Sequence, residues 1–158
     1  MRMLFVVFSL VAAAAVVSSN LAVAQISNDL IKIGVLSDMS SLYSDSTGPG
    51  SVIAAQMAAA EFNGKVRGKP IEVIGADHQN KPDVGSSIAR DWYDNAKVDV
   101  IVDVPTSSVA LAVQQITREK NRVFLMSGAA ASDLTGTACS PNAIHWTYDT
   151  YVTVHIRP

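Results

Sequence analysis

Apolar positions along the chain follow two alternating spacings, short β-branched runs and longer stripes at helical intervals. Ile31-Lys32-Ile33-Gly34-Val35-Leu36 reads as a strand. The Ser-, Gly- and Pro-rich residues 37–50 read as a loop. From Ser51 to Asn63 an Ala-rich run favours helix, and Gly64 stops it. Ile71-Glu72-Val73-Ile74 predicts a second strand, entered from Gly68-Lys69-Pro70. Beyond Lys81-Pro82-Asp83, Val84, Ile88 and Trp92 share one helical face, and Pro82 suits the first turn, where its missing N–H has no partner to lose. Val100 to Val104 predicts a third strand. Pro105-Thr106-Ser107-Ser108 then opens a helix whose buried stripe is Val109, Ala112, Val113 and Ile116. Val123 to Met126 makes a fourth strand, Ser127 to Ala131 a small-residue turn, Ser132 to Thr135 a helical turn, and Ala143 to Trp146 a short fifth strand.

Strands alternating with helices, with strands apolar on both faces, predict an α/β fold with a mainly parallel sheet and right-handed crossovers. The expected architecture is three-layered and Rossmann-like.

The first 24 residues break this alternation, since 19 of them are apolar and Arg2 is the only charge before Asp29. Arg2, the apolar run Met3 to Val17, the polar Ser18-Ser19-Asn20 and then Ala22-Val23-Ala24 form the layout of a cleavable secretory signal peptide. The apolar run is shorter than the roughly 20 residues of a spanning helix. Residues 1–24 are therefore expected to be removed and the remainder to be exported.

Without that leader, 11 Lys and Arg face 14 Asp and Glu, a net charge of −3 with no basic patch, which argues against a nucleic-acid partner. The single Cys139 excludes an internal disulfide framework and reads as a small packed residue rather than a nucleophile. His78, His145 and His155 form no H-x-x-x-H pair, and no metal or other cofactor is expected.

In parallel sheets, ligands sit beyond the carboxyl ends of the strands. That places Asp38, Ser40, Ser41, Tyr43 and Thr47 after the first strand, Thr106 to Ser108 after the third, and Ser127 to Ala130 after the fourth. These loops offer hydroxyls and backbone N–H groups suited to a carboxylate or another polar head, although the same Ser and Thr residues also serve as helix caps. Tyr43 is the aromatic favoured for ligand contact, whereas Trp92 belongs to the core. Asp77-His78 reads as a solvent-exposed pair. Enzyme signatures fail: Gly48-Pro49-Gly50 lacks dinucleotide-binding spacing, and neither a Walker sequence nor a G-x-S-x-G elbow is present. No catalytic residue is assigned.

Several segments together carry a resemblance: residues 31–40, Gly68 to Val73, Ala76 to Lys81, Val104 to Val113 and Ser132 to Gly136. In this order and spacing they resemble the N-terminal lobe of the branched-chain amino acid (leucine/isoleucine/valine) type of periplasmic substrate-binding protein of ABC importers. The resemblance covers Ile31 to about Tyr151. It implies a type I periplasmic-binding-protein lobe, a small-molecule ligand (amino acid, organic acid or amide) and docking on permease subunits in the inner membrane. Carried over residue by residue, it implies ligand contacts at Tyr43, Thr47, Thr106, Ser107, Gly128 and Ala130. Amino-acid binders of this type often carry a threonine where Ala130 stands, which leaves room for organic acids, including aromatic ones.

The resemblance also implies a second lobe entered just after Trp146 to Tyr151. Residues 152–158 do not match how the family continues, and a shifted reading frame or a premature stop accounts for such an ending. The expected organisation is a signal peptide over 1–24, one lobe over 25–151 and an atypical tail over 152–158, with ligand binding impaired by the missing lobe. Two other readings stay open: a ligand-sensing regulatory module built on the same lobe, and an α/β hydrolytic enzyme using Ser107.

Overall fold

The computed structural model describes Ile26 and residues 29–155; the expected signal peptide and the last three residues of the tail lie outside the described residues. A sheet of order β2-β3-β1-β4-β5-β6 forms the middle layer. Its strands are β1 (Ile31–Ser37), β2 (Lys65–Val66), β3 (Lys69–Asp77), β4 (Val100–Asp103), β5 (Val123–Met126) and β6 (Ala143–His145). All pairings are parallel except β2–β3. The helices are α1 (Gly48–Glu61), α2 (Pro82–Asp91), α3 (Ser107–Glu119) and α4 (Thr150–His155). The α/β fold with a mainly parallel sheet, read from the two alternating spacings, is the fold observed.

One face of the sheet carries the main core. Here α2 and α3 pack on Leu36, Ile101, Phe124 and Met126, all fully or almost fully buried, together with Trp92, Val109, Val113 and Ile116. Trp92 occupies the core as expected, and it explains Gly34 directly beneath it: a Cβ there would lie 2.4 Å from the indole ring. A π-helical turn, Trp92–Ala96, extends α2 and ends at Lys97 in the left-handed conformation (φ 58°). On α3 the buried stripe is broader than periodicity alone indicates. Ala110, Gln114 and Thr117 are buried with Val109, Val113 and Ile116, whereas Ala112 is only half-buried. Gln114 belongs there because its amide donates to the Leu134 and Ala138 carbonyls (3.1 and 2.5 Å).

Three local expectations need correction. First, α1 starts at Gly48 rather than Ser51, because Pro49, taken from its sequence as loop chemistry, sits in the first turn where its fixed φ favours helix. The helix also ends earlier, at Glu61, with Asn63 (φ 54°) and Gly64 (φ 64°) both left-handed. Second, Gly68-Lys69-Pro70 is not merely an entry to a strand. Arg67 and Gly68 are both at positive φ and form the two-residue connection of a hairpin joining β2 to the start of β3. Third, β4 ends one residue before Val104, and the chain turns there through two consecutive left-handed residues, Asp103 (φ 80°) and Val104 (φ 57°).

Candidate functional site

Leaving β1, the chain runs through α1 to β3 on one side. Leaving β4, it runs through α3 to β5 on the other side. The two exits lie side by side at the carboxyl edge, and such a reversal of winding opens a crevice in parallel sheets. The expected ligand loops follow β1, β4 and β5, which are consecutive in the sheet, so all three emerge at this edge.

The β1 exit is an acid-anchored loop. Asp38, buried, accepts from the Ser41 N–H (2.9 Å), the Ser41 hydroxyl (2.6 Å) and the Tyr43 N–H (2.9 Å). Asp77, ending β3, accepts from the Met39 N–H (2.9 Å), the Gln79 N–H (2.7 Å) and the Ser40 hydroxyl (2.5 Å), joining the loop to the neighbouring strand. Burial works against charge on both carboxylates, but these donors outweigh it and hold both below the usual carboxylate range. Asp38, Ser40 and Ser41 thus build the loop, leaving neither carboxylate idle.

The same loop presents two of the expected contacts in different ways. Tyr43 is 37% exposed. The Thr47 hydroxyl donates to the Tyr43 carbonyl (3.0 Å) and accepts from the Ser37 hydroxyl (3.2 Å), while Ser37 Oγ accepts from the Gly48 N–H (3.1 Å). Thr47 therefore closes the loop onto β1 at the start of α1.

The exits of β4 and β5 are bound to each other. Ser127 donates its hydroxyl to Asp103 Oδ1 (2.9 Å), and Ser107 Oγ accepts from the Ala130 N–H (3.2 Å). Gly128 lies against Pro105, so close that a Cβ would come within 2.9 Å of the proline Cα. Ser107, Gly128 and Ala130 are thereby brought together, with Ser107 in the first turn of α3. Thr106 stands beside them, but its hydroxyl oxygen is buried without a hydrogen-bond partner among the described residues. The small-residue turn is further held by its own carbonyls. Ala129 O meets the His145 imidazole (2.5 Å), and Ala130 O accepts from the Thr150 N–H (2.7 Å). No hydrogen bond among the described residues links Tyr43 to this second cluster.

Two features here depart from the sequence reading. The left-handed pair Asp103-Val104 includes a β-branched residue in a region that such residues avoid, a strained conformation of the kind that concentrates at binding sites. No periodicity or motif signals it. His78 was expected to be exposed and is instead wholly buried, Asp77 being half-buried. The His78 Cβ packs against Gly85 of α2, where a larger residue would collide with Val109. His78 Nδ1 accepts from the Asn80 N–H (3.0 Å), which puts the ring proton on Nε2, itself buried without a partner. Burial lowers the affinity of His78 for a second proton, against the pull of the Asp38, Asp77 and Asp103 carboxylates. Cys139, expected to be packed, is exposed, and its carbonyl accepts from Arg118 instead.

Among the described residues no group of His, Cys, Asp and Glu has the arrangement of a metal site, and no helix is long and apolar enough to cross a membrane.

Known proteins match this architecture. A family described as periplasmic binding protein matches residues 30–155. A periplasmic binding protein from Burkholderia mallei is 47% identical, with a TM-score of 0.75 over 77% of this chain and 32% of its own. A branched-chain amino acid ABC transporter periplasmic ligand-binding protein from Burkholderia xenovorans is 40% identical, with a TM-score of 0.73 over 80% of this chain and 35% of its own. An ABC transporter solute-binding protein from Rhodopseudomonas palustris, solved with 3,4-dihydroxybenzoic acid, is 25% identical with a TM-score of 0.69 over 77% and 33%. None of the curated proteins compared with the chain matches it. The chain spans about a third of the length of these solved relatives. With four-fifths of its sequence matched and its sheet superposed on one lobe of such proteins, the chain belongs to the periplasmic binding protein family.

Proposed function

We propose that the chain is the N-terminal gripping lobe of an ABC-importer solute-binding protein for amino acids or related small organic acids and amides. The observation carrying this reading is the joined β4 and β5 exits at the winding reversal. There Ser107, Gly128 and Ala130 meet beside the strained Asp103-Val104 turn. The first turn of α3 supplies backbone N–H groups that suit a carboxylate head, and Tyr43 supplies an exposed aromatic wall. Tyr43, Thr47, Thr106, Ser107, Gly128 and Ala130 form the proposed ligand set, with Thr47 acting by shaping the loop. The names of relatives support two ligand classes, branched-chain amino acids and hydroxylated benzoic acids.

In this reading residues 1–24 direct export to the periplasm, residues 25–151 form the lobe, and permease subunits in the inner membrane are the downstream partner. A clamp with half its contacts loses several kcal/mol, and each 1.4 kcal/mol or so is tenfold in affinity, so binding by this chain alone is weak. The test is calorimetric titration of the chain beginning at Gln25 with leucine, isoleucine, benzoate and 3,4-dihydroxybenzoate. Weak, saturable heat with one class, lost in Ser107→Ala, supports the reading; nanomolar binding overturns the impaired-clamp part, and no saturable heat with any class overturns the ligand assignment. Mass spectrometry of the exported protein checks the leader, with Gln25 the expected first residue.

A further inference from the structure

His78 is wholly buried where two helices begin. Its N–H donates to the Ser37 carbonyl (2.9 Å), and the Val104 N–H donates to the Leu36 carbonyl (3.0 Å), so His78 and the Asp103-Val104 turn leave the sheet on either side of β1. Just beyond His78, α2 starts at Pro82. The first turn of α3 is equally near, because both border Gly85. A Cβ there would lie 2.5 Å from Val109 Cγ1 and 3.6 Å from the His78 Cβ.

Three polar atoms at this end are buried without a partner among the described residues: His78 Nε2, Asp103 Oδ2 and the Thr106 hydroxyl oxygen. His78 Nε2 carries the ring proton, since Nδ1 accepts from the Asn80 N–H. Asp103 has acceptor capacity to spare, since its donor, the Ser127 hydroxyl, is on Oδ1. Asp38 and Asp77, the other charged groups that face the ring, are each engaged by three donors. Gly85, Val109 and Val113 bring no charge from the helices, and the Lys81 amine is turned outward to Gln79 (3.2 Å). Burial disfavours a second proton on His78, and the positive ends of the two helix dipoles act in the same direction. An anion on the first turn of α3 cancels one of those ends.

We propose that His78 takes up a proton when a carboxylate head binds at the first turn of α3, so that ligand affinity rises as pH falls. This rests on the carboxylate-head reading of the site given above. The proton goes to Nδ1, which releases the Asn80 N–H to solvent. Gln79 and Asn80 make a left-handed turn at the surface there (φ 53° and 56°), with room to move outward. Nε2 keeps its own proton, and the Asp103 carboxylate balances the imidazolium. Because linkage is reciprocal, bound anion and bound proton each tighten the other.

The test is calorimetric titration of the chain beginning at Gln25 with benzoate and with leucine, between about pH 7.5 and 5.5, where a histidine changes charge. Each titration is run in two buffers of different ionisation enthalpy that contain neither carboxylate nor phosphate. With a probe that binds, affinity is expected to rise about fivefold over this range. The heats differ between the buffers by the fraction of a proton taken up. His78→Gln, which keeps an acceptor for the Asn80 N–H, abolishes both effects, whereas His145→Gln, at the histidine that meets Ala129, leaves both in place. In the unaltered chain, the NMR titration of the His78 ring moves to higher pH on saturation with the same probe, a readout that requires no variant to fold. Binding without proton uptake, a ring titration that does not move, uptake that persists in His78→Gln, or uptake lost in His145→Gln each overturns this proposal alone. Absence of saturable heat with either probe at every pH overturns the carboxylate reading and this proposal with it.

Discussion

Ser107 Oγ accepts the Ala130 N–H across the gap between the β4 and β5 exits at 3.2 Å, so the first residue of α3 also sets the height of the neighbouring loop. Ser107→Ala leaves that part-buried N–H unpartnered, which costs about 1–2 kcal/mol in urea unfolding. Ligand heat falls with it, because the Ala130 loop loses its anchor. Ser107→Thr, which keeps the oxygen, retains most of both; if Ala and Thr behave alike, the hydroxyl does not anchor the loop.

Gly128→Ala separates binding from folding. The added methyl meets Pro105 Cα, a backbone atom that cannot rotate away, so the β5 exit moves off the β4 exit by a few tenths of an ångström. Thermal stability is expected to fall by only about 1 kcal/mol, in the range of mild overpacking. Calorimetric affinity for the preferred ligand is expected to drop at least tenfold.

Gly34→Ala tests the core beneath α2. A Cβ at 2.4 Å from the Trp92 ring forces the indole out of place, and the expected loss is about 1–3 kcal/mol. Replacing the ring as well, in Gly34→Ala/Trp92→Leu, opens the space. The double variant is expected to be more stable than the sum of the two single losses implies, measured as a positive coupling in a urea double-mutant cycle.

Stability is expected to fall with acid in two stages. The folded protein holds the His78 affinity for a second proton below its ordinary 6.5, so the unfolded chain binds more protons just beneath that pH and stability declines there. Asp38 and Asp77 have folded values below 3.8, so their contribution is intact above that pH and is lost as pH falls through their folded values. His78→Gln, which keeps an acceptor for the Asn80 N–H, removes the first decline and leaves the second. Urea midpoints across pH 7 to 3 measure both, and a first decline persisting in His78→Gln assigns it to another group.

The strands and helices were legible because their signals are local. Ile31 to Leu36 and Val123 to Met126 are β-branched or apolar on both faces, and α3 carries its stripe within one turn of sequence after another. The carboxyl-edge loops followed from the strand list alone. What stayed hidden depends on distant partners or very short elements. His78 is buried because Gly85, on the following helix, admits α2 close to it, and a dipeptide beside an acid gives no sign of that. β2 is two residues long, too brief for any alternation to register. The left-handed Asp103-Val104 turn arises where Val104 N–H reaches back to the Leu36 carbonyl (3.0 Å) and Ser127 N–H to Asp103 (3.4 Å), a constraint imposed by neighbouring strands. Cys139 was misplaced because small apolar residues are usually buried, whereas this one lies in a turn whose carbonyls serve Arg118.

The placing of β1 between β3 and β4 also governs the order in which the chain can fold. The first of the described strands is hydrogen-bonded on both sides to strands made later, and Lys32 meets Asp99 across 67 positions of sequence. Contacts so far apart close slowly, since the loop entropy must be lost before the ladder forms. Until β4 emerges, β1 can pair only with β3, so the β1–β4 ladder at the centre of the sheet closes only once the chain has been made as far as Asp103.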